Sequence, residues 1–207
     1  LTCANGGSCT VGVDTGPGGG IVFYYSASAF TSTGSACGIN CHYLEVAPSG
    51  WSITPVSGCS TPGSSSADPY CAWSGSTNAS AVASVNRAIG TGYANSLAII
   101  AQDSTAGMAA TAARAYQGGS KTDWFLPSRD ELDELCKYAN NQTTGTASTC
   151  TAGSTRPGFT SSSGQTDYWC SSQDPDGYPR FQRFSDGVSN RHNKFQIFQV
   201  RPVRAFG

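Results

Sequence analysis

The run Asp123-Trp124-Phe125-Leu126-Pro127-Ser128-Arg129-Asp130-Glu131-Leu132, continuing to Asn140, sets the terms on which the rest of the chain must fold. Ser128 is a favourable helix N-cap. Glu131, three residues on, is placed to return its carboxylate to the Ser128 amide and complete a capping box. The spacing predicts a helix from Ser128 to about Asn140. Asp130, Glu131, Asp133 and Glu134 crowd its first turns, which suits the positive end of the helix dipole, while Leu132, Leu135, Cys136 and Ala139 recur at helical spacing. One buried face and one solvated acidic face are expected. Carboxylates on a helix splay outward instead of converging, so this cluster is not expected to hold calcium.

Upstream, Asp14-Thr15-Gly16-Pro17-Gly18-Gly19-Gly20 runs directly into Ile21-Val22-Phe23-Tyr24-Tyr25. Glycines that feed a strand reverse the order of a phosphate-binding loop, so a tight turn entering a strand is expected. His42 to Ala47, closed by Pro48, reads as a second strand that pairs with the first. Ser49 to Ser80 is too rich in Ser, Gly, Pro and Thr for a layer of core and reads as a long stapled loop. Short helices are expected at Ala81–Ile89, Ala94–Gln102 and Thr105–Tyr116, and a low-complexity loop at Gln142–Gly164. Strands return at Asp167–Ser171, Tyr178–Ser185 and Phe195–Phe206, with Asp186-Gly187 as a hairpin turn. The sum is an α+β fold in one domain spanning residues 1 to 207: two N-terminal strands, a helical middle and a C-terminal antiparallel sheet.

Nine cysteines accompany only two histidines, His42 and His192. Zinc sites need clustered Cys and His, so disulfides and an oxidising, extracellular or cell-surface setting are expected, with no metal and no cofactor. Eight cysteines allow 105 connectivities. Sequence proximity favours Cys3 with Cys9, Cys37 with Cys41, Cys59 with Cys71 and Cys136 with Cys150. Cys170 is left over, either a buried thiol or a link to a second chain. Charged residues make up only 12% of the chain and the formal net charge is -1, which exerts no overall pull on nucleic acid or an anionic membrane. No apolar run approaches the ~18 residues of a membrane span, so membrane insertion is not expected. No signal peptide remains ahead of Leu1, as expected of a processed or excised chain.

Three phrases carry a family resemblance: Asp14 to Tyr24, Asp123 to Leu132, and Val200-Arg201-Pro202-Val203-Arg204-Ala205-Phe206. In this order, and spanning nearly the whole chain, they resemble the C-terminal domain family of the Legionella collagen-like adhesin, found in bacterial surface proteins. That resemblance implies a C-type-lectin-like domain with neighbouring N- and C-terminal strands. It also implies a binding module for glycan, including sulfated polysaccharide, or for protein, acting through its C-terminal part. The chain departs from the family at Tyr168-Trp169-Cys170-Ser171-Ser172, where Cys170 replaces a serine.

The charge distribution points to the same end. From Tyr178 to Gly207, six basic side chains face Asp186 alone, a local net charge of +5 in a chain of -1. Arg201 and Arg204 are expected to pair structurally with helix carboxylates. Arg180, Arg183, Arg191, His192 and Lys194 are expected to be exposed, with Tyr178, Asn190 and Asn193 adding stacking and hydrogen-bonding groups. These eight residues form the expected ligand surface, for a polyanionic glycan or a surface protein. No catalytic constellation is evident: His42 reads as a packed strand residue, and the Asp174-Pro175-Asp176-Gly177 segment as a plain turn. The competing expectation is a structural subunit of a surface filament or coat, a homo-oligomer using the same face for subunit contacts.

Overall fold

The computed structural model describes residues 1–52, 57–60, 68–78, 80–82, 85–159 and 166–207. It is an α+β fold with two sheets. β1 (Ile21–Phe30), β2 (Cys41–Val46) and β8 (Val203–Phe206) form an antiparallel sheet in the order β1-β2-β8. The second sheet has the order β3-β7-β4-β5-β6, built from β3 (Tyr70–Ala72), β4 (Asp167–Gln173), β5 (Pro179–Arg183), β6 (Ser189–Arg191) and β7 (Ile197–Gln199). Its pairs are antiparallel except β4 with β7, which run parallel. Among the described residues three α-helices fall between β3 and β4 in the chain: α1 (Gly92–Gln102), α2 (Ala109–Ala115) and α3 (Arg129–Ala139).

The capping box is formed. Ser128 Oγ accepts the Glu131 amide at 3.3 Å, and Glu131 Oε2 accepts the Ser128 amide at 2.6 Å. The solvated acidic face is a correction, because Glu131 and Glu134 are buried. Glu134 is compensated by Lys137 Nζ at 2.6 Å. Among the described residues no cation pairs with Glu131. Its carboxylate instead accepts the Gly90 amide at 2.8 Å and the Gly92 amide as well, while Thr91 ahead of α1 makes no side-chain cap. One carboxylate therefore caps two helices, its own and α1, where both dipoles favour negative charge. Burial nevertheless pushes its carboxyl up to about 7. A Cβ at Gly92 would stand 2.2 Å from Glu131 Oε2, which explains glycine at the first position of α1.

Leu132, Leu135, Cys136 and Ala139 of α3 pack with Phe23 and Leu44 of one sheet and Tyr168 of the other, so one cluster joins the two sheets. A second cluster gathers Trp73, Trp124, Trp169, Ile99 and the buried alanines of α2. Two of these findings revise the loop expected at Ser49–Ser80: its described residues contain β3, and Trp51, Cys71 and Trp73 are buried. The window's polar average hides aromatic anchors that are individually apolar enough to seat the segment. The remainder of that expected loop, 53–56, 61–67 and 79, lies outside the described residues, as do 160–164 of the loop expected after α3.

No helix forms among the described residues of Ala81–Ile89, with 83–84 outside them. The backbone there is taken by tertiary partners: the Asn86 carbonyl accepts Asn95 Nδ2 at 2.6 Å and Ser172 Oγ at 2.7 Å, and the Arg87 carbonyl accepts the Asp130 amide at 2.9 Å. Such bonds satisfy the groups a helix would otherwise have to pair. The single strand expected at Phe195–Phe206 is two strands in different sheets. Pro202, which has no amide hydrogen, falls in the break.

The four disulfides are Cys3–Cys9, Cys37–Cys41, Cys59–Cys71 and Cys136–Cys150, the pairs proximity favours. Cys170 is free and 1% exposed, which closes the alternative of a link to a second chain from this fold. Burial pushes its thiol up to about 12, so it stays protonated and is not a nucleophile at neutral pH.

Candidate functional site

The C-terminal basic residues meet two different fates. Arg201 and Arg204 are buried, but their partners are not the helix carboxylates expected. Arg201 Nε binds Asp68 at 2.7 Å, and Asp68 also accepts Trp51 Nε1 at 3.0 Å and Tyr168 Oη at 2.8 Å. Arg204 Nη1 binds Glu45 Oε1 at 2.8 Å while its Nε donates to Asp123. Glu45 in turn accepts the amides of Gly18 and Gly20 at 2.9 and 3.0 Å. A Cβ on Gly18 would lie 2.6 Å from Trp124 and 2.8 Å from Glu45, and one on Gly20 2.3 Å from the Val46 carbonyl, so glycine is the residue that fits this close approach.

The phrases Asp14 to Tyr24, Asp123 to Leu132 and Val200 to Phe206 thus meet in one buried cluster. Gly18 and Gly20 come from the first, Asp123 from the second and Arg204 from the third, all around Glu45. Phe125 and Val203 add a backbone bridge between the second and third, at 2.9 and 3.0 Å. The three phrases therefore build the frame. Ligand contacts must be sought elsewhere.

The expected ligand surface lies on β5, β6 and the turn into β7. Tyr178, Asn190, Arg191 and His192 are exposed, and Arg180, Arg183 and Asn193 are half-buried. Pairing draws most of them together: the Arg191 guanidinium lies 5.3 Å over the Tyr178 ring, the His192 amide donates to Pro179 at 3.1 Å, and the His192 ring is 5.7 Å from Phe198. Asn193 Oδ1 accepts the Gln196 amide at 2.9 Å and so shapes the turn. Lys194 is the exception and corrects the expectation that it is exposed. It is fully buried, its Nζ donating to the Ser80 carbonyl, 3.4 Å from Gln102 Oε1 and 5.3 Å over the Trp73 ring. Its four-carbon stem packs along Trp73 while the ammonium reaches the Ser80 carbonyl and the Gln102 side-chain oxygen.

The basic excess is also smaller than the sequence window suggests. Arg180 binds Asp174 at 2.7 Å, Arg191 binds Asp174 and Asp176 at 3.2 and 2.6 Å, and Arg183 binds Asp167 and Asp186 at 2.9 and 3.5 Å. Three guanidinium groups meet four carboxylates, three of them from residues before Tyr178. The Asp174–Gly177 turn is the socket for two of these arginines, with the Gly177 amide donating to Asp174 at 2.8 Å.

What the face does offer is apolar surface. Phe195 is 57% exposed, Ile197 45%, Val188 43% and Tyr178 36%. Phe195 and Ile197 were hidden in the sequence by their own hydrophobicity. Alternation puts Ile197 on the face of β7 opposite Phe198, while Phe195 sits in the turn ahead of that strand. Beside β6 opens a cleft of about 440 Å³ lined by Arg87, Arg129, Asp130, Asp133 and Ser189. In it Ser189 Oγ is buried without a hydrogen-bond partner, and Arg129 makes no ion pair among the described residues.

No helix among the described residues is long and apolar enough to cross a membrane, and among them no cluster of His, Cys, Asp or Glu has the makings of a metal site. Compared with known proteins, the chain matches no family model, no curated protein sequence and no solved structure.

Proposed function

We propose that this chain is an extracellular recognition module of C-type-lectin-like build, without catalytic activity, that engages a glycan or a surface protein through the face made by β5, β6 and the turn into β7. The observation that carries the reading is the exposure of Tyr178, with the Arg191 guanidinium over its ring, together with the exposure of Val188, Phe195 and Ile197 in the same segment of chain. Large aromatic and aliphatic side chains beside a pre-positioned arginine are what binding surfaces use for contact area and direction. The setting is supported by four disulfides, which persist in oxidising compartments. The lectin-like build is supported by the adjacency of the first two strands and the last, in the order β1-β2-β8.

The ion pairing shifts the expected chemistry away from a naked cationic strip. Each arginine of the face already has a carboxylate, so a sulfated polymer must compete with it, and salt should affect binding little. The test is retention of the chain on glycan arrays and on cell surfaces, at low and physiological salt, for the parent and a Tyr178→Ala, Arg191→Ala, Phe195→Ala variant. Loss of the parent's binding at both salt levels supports the face. Undiminished binding by a folded variant places the contact elsewhere.

A second reading rests on one observation: among the described residues β6 is a three-residue strand at the edge of its sheet, where a strand from another chain can be added. In that reading the chain is a subunit of a surface filament. Size-exclusion mass across a concentration series separates the two, since a subunit assembles by itself and a recognition module does not.

A further inference from the structure

The three-stranded sheet carries a row of aromatic rings. Tyr25 of β1 is directly opposite Tyr43 of β2, and Tyr43 is directly opposite Phe206 of β8. Their ring centroids are 5.0 and 5.3 Å apart, and His42 stacks on Tyr25 at 6.5 Å. Cross-strand aromatic pairs stabilise a sheet, but a row serving the core alone would be covered. This one is not. Exposure falls from 45% at Tyr25 to 6% at Phe206, and a cleft of about 390 Å³ opens between the row and the loop held by the Cys3–Cys9 disulfide. That volume lies within the ~300–1,000 Å³ of small-molecule sites.

The lining fixes the ligand class. Among the described residues that line the cleft none is Asp, Glu, Lys or Arg, so nothing there selects a charged ligand. The polar side-chain groups are hydroxyls and one imidazole. His42 Nδ1 lies 2.8 Å from the Ser26 carbonyl, which can only accept. In the neutral ring Nδ1 therefore carries the hydrogen, and Nε2 is left as an acceptor. Tyr43 Oη accepts the Cys9 amide at 3.4 Å, which leaves its own hydrogen to donate. The site thus combines flat aromatic surface with both an acceptor and a donor. A run of prolines would suit the rings but brings carbonyl acceptors and no amide hydrogen, so it has nothing for Nε2. A pyranose has an apolar C–H face to lay on the rings, and hydroxyls that donate as well as accept.

We propose that the cleft of Tyr25, His42, Tyr43 and Phe206 binds a neutral pyranose sugar. It is built on the other sheet from the face of Tyr178 and Arg191, and the inference stands without the reading given to that face. The experiment is an aromatic proton-carbon NMR titration of the chain with cellohexaose, laminarihexaose and mannohexaose, and with a proline-rich decapeptide as the competing probe. Saturable shifts centred on Tyr25, His42, Tyr43 and Phe206 with at least one hexaose, unchanged by added salt, are expected. Tyr25→Ala should weaken that binding roughly tenfold and Tyr25→Phe much less, while Tyr178→Ala with Arg191→Ala leaves it unchanged. The shifts in the parent identify the site even if Tyr25→Ala does not fold. Absence of shifts with all three hexaoses overturns the proposal, as do shifts at other residues, or a response to the decapeptide alone.

Discussion

Glu45 on β2 and Arg204 on β8 stand directly opposite each other in the register of the three-stranded sheet, with Oε1 and Nη1 2.8 Å apart and neither side chain open to solvent. Asp123 takes the other edge of the same guanidinium. Removing the cation by Arg204→Ala leaves two buried carboxylates with no counter-charge. The expected loss is about 3–5 kcal/mol, read from urea unfolding. Arg204→Lys should recover little of it, since a point charge does not replace a fork that reaches both acids.

Glu131 gives the fold a pH dependence of definite sign. Its carboxyl is raised by burial from 4.5 to about 7, so between those values the folded protein holds a proton that the unfolded chain has released. The stability this contributes is full below about 4.5 and is lost as pH rises through about 7, a change on the order of 3 kcal/mol. Thermal unfolding from pH 5 to 8 measures it. Glu131→Gln should be less stable throughout, because its amide cannot accept at both positions, yet flatter with pH. A variant with the parent's slope would assign the dependence to another group.

Lys194 and Arg183 look alike in sequence and should behave oppositely. Lys194→Ala removes a buried ammonium from the Ser80 carbonyl and from above Trp73, with an expected loss of about 1–3 kcal/mol. Arg183, whose side chain is 40% exposed, should contribute only ~0–1 kcal/mol. Differential scanning calorimetry of the two single variants decides.

Ser128 is bonded twice, accepting the Glu131 amide and donating to the Ala88 carbonyl at 2.9 Å. Ser128→Ala should therefore cost about 1–2 kcal/mol, at or above the usual value of a cap. Binding at either proposed site should not change.

Cys170 should be silent in the native state. With 1% exposure and a thiol pushed up to about 12, it should resist a thiol-reactive dye until denaturant is added, and then give one equivalent of label. Labelling of the folded chain at neutral pH would mean that β4 opens.

What the sequence made legible is what is local. The capping box needs only two residues three apart, and each disulfide closes a loop of 4 to 14 residues, so proximity was a sufficient guide. The β1–β2 pairing followed from two apolar runs bounded by Gly and Pro. What stayed hidden depends on distant partners. Glu131 sits in a sequence of acids and gives no sign that amides from another helix will bury it. Asp174 and Asp176 precede the basic window by a few residues, so the count that began at Tyr178 missed the carboxylates that neutralise it. The aromatic row is invisible for the same reason: Tyr25, Tyr43 and Phe206 become neighbours only once the last strand docks on the second.

The cluster around Glu45 draws on residues 18, 20, 123 and 204, and none of them lies between Tyr178 and Ile197. Frame and proposed contact surface are therefore written in separate parts of the chain. Outward-facing positions of that segment, among them Tyr178, Asn190, Arg191, His192 and Phe195, can be exchanged without touching the buried charges, provided Phe181 and Lys194 keep their places in the core. The fold is in that sense a cassette holder, and a library randomised at those positions offers a direct route to new binding specificities on an unaltered skeleton.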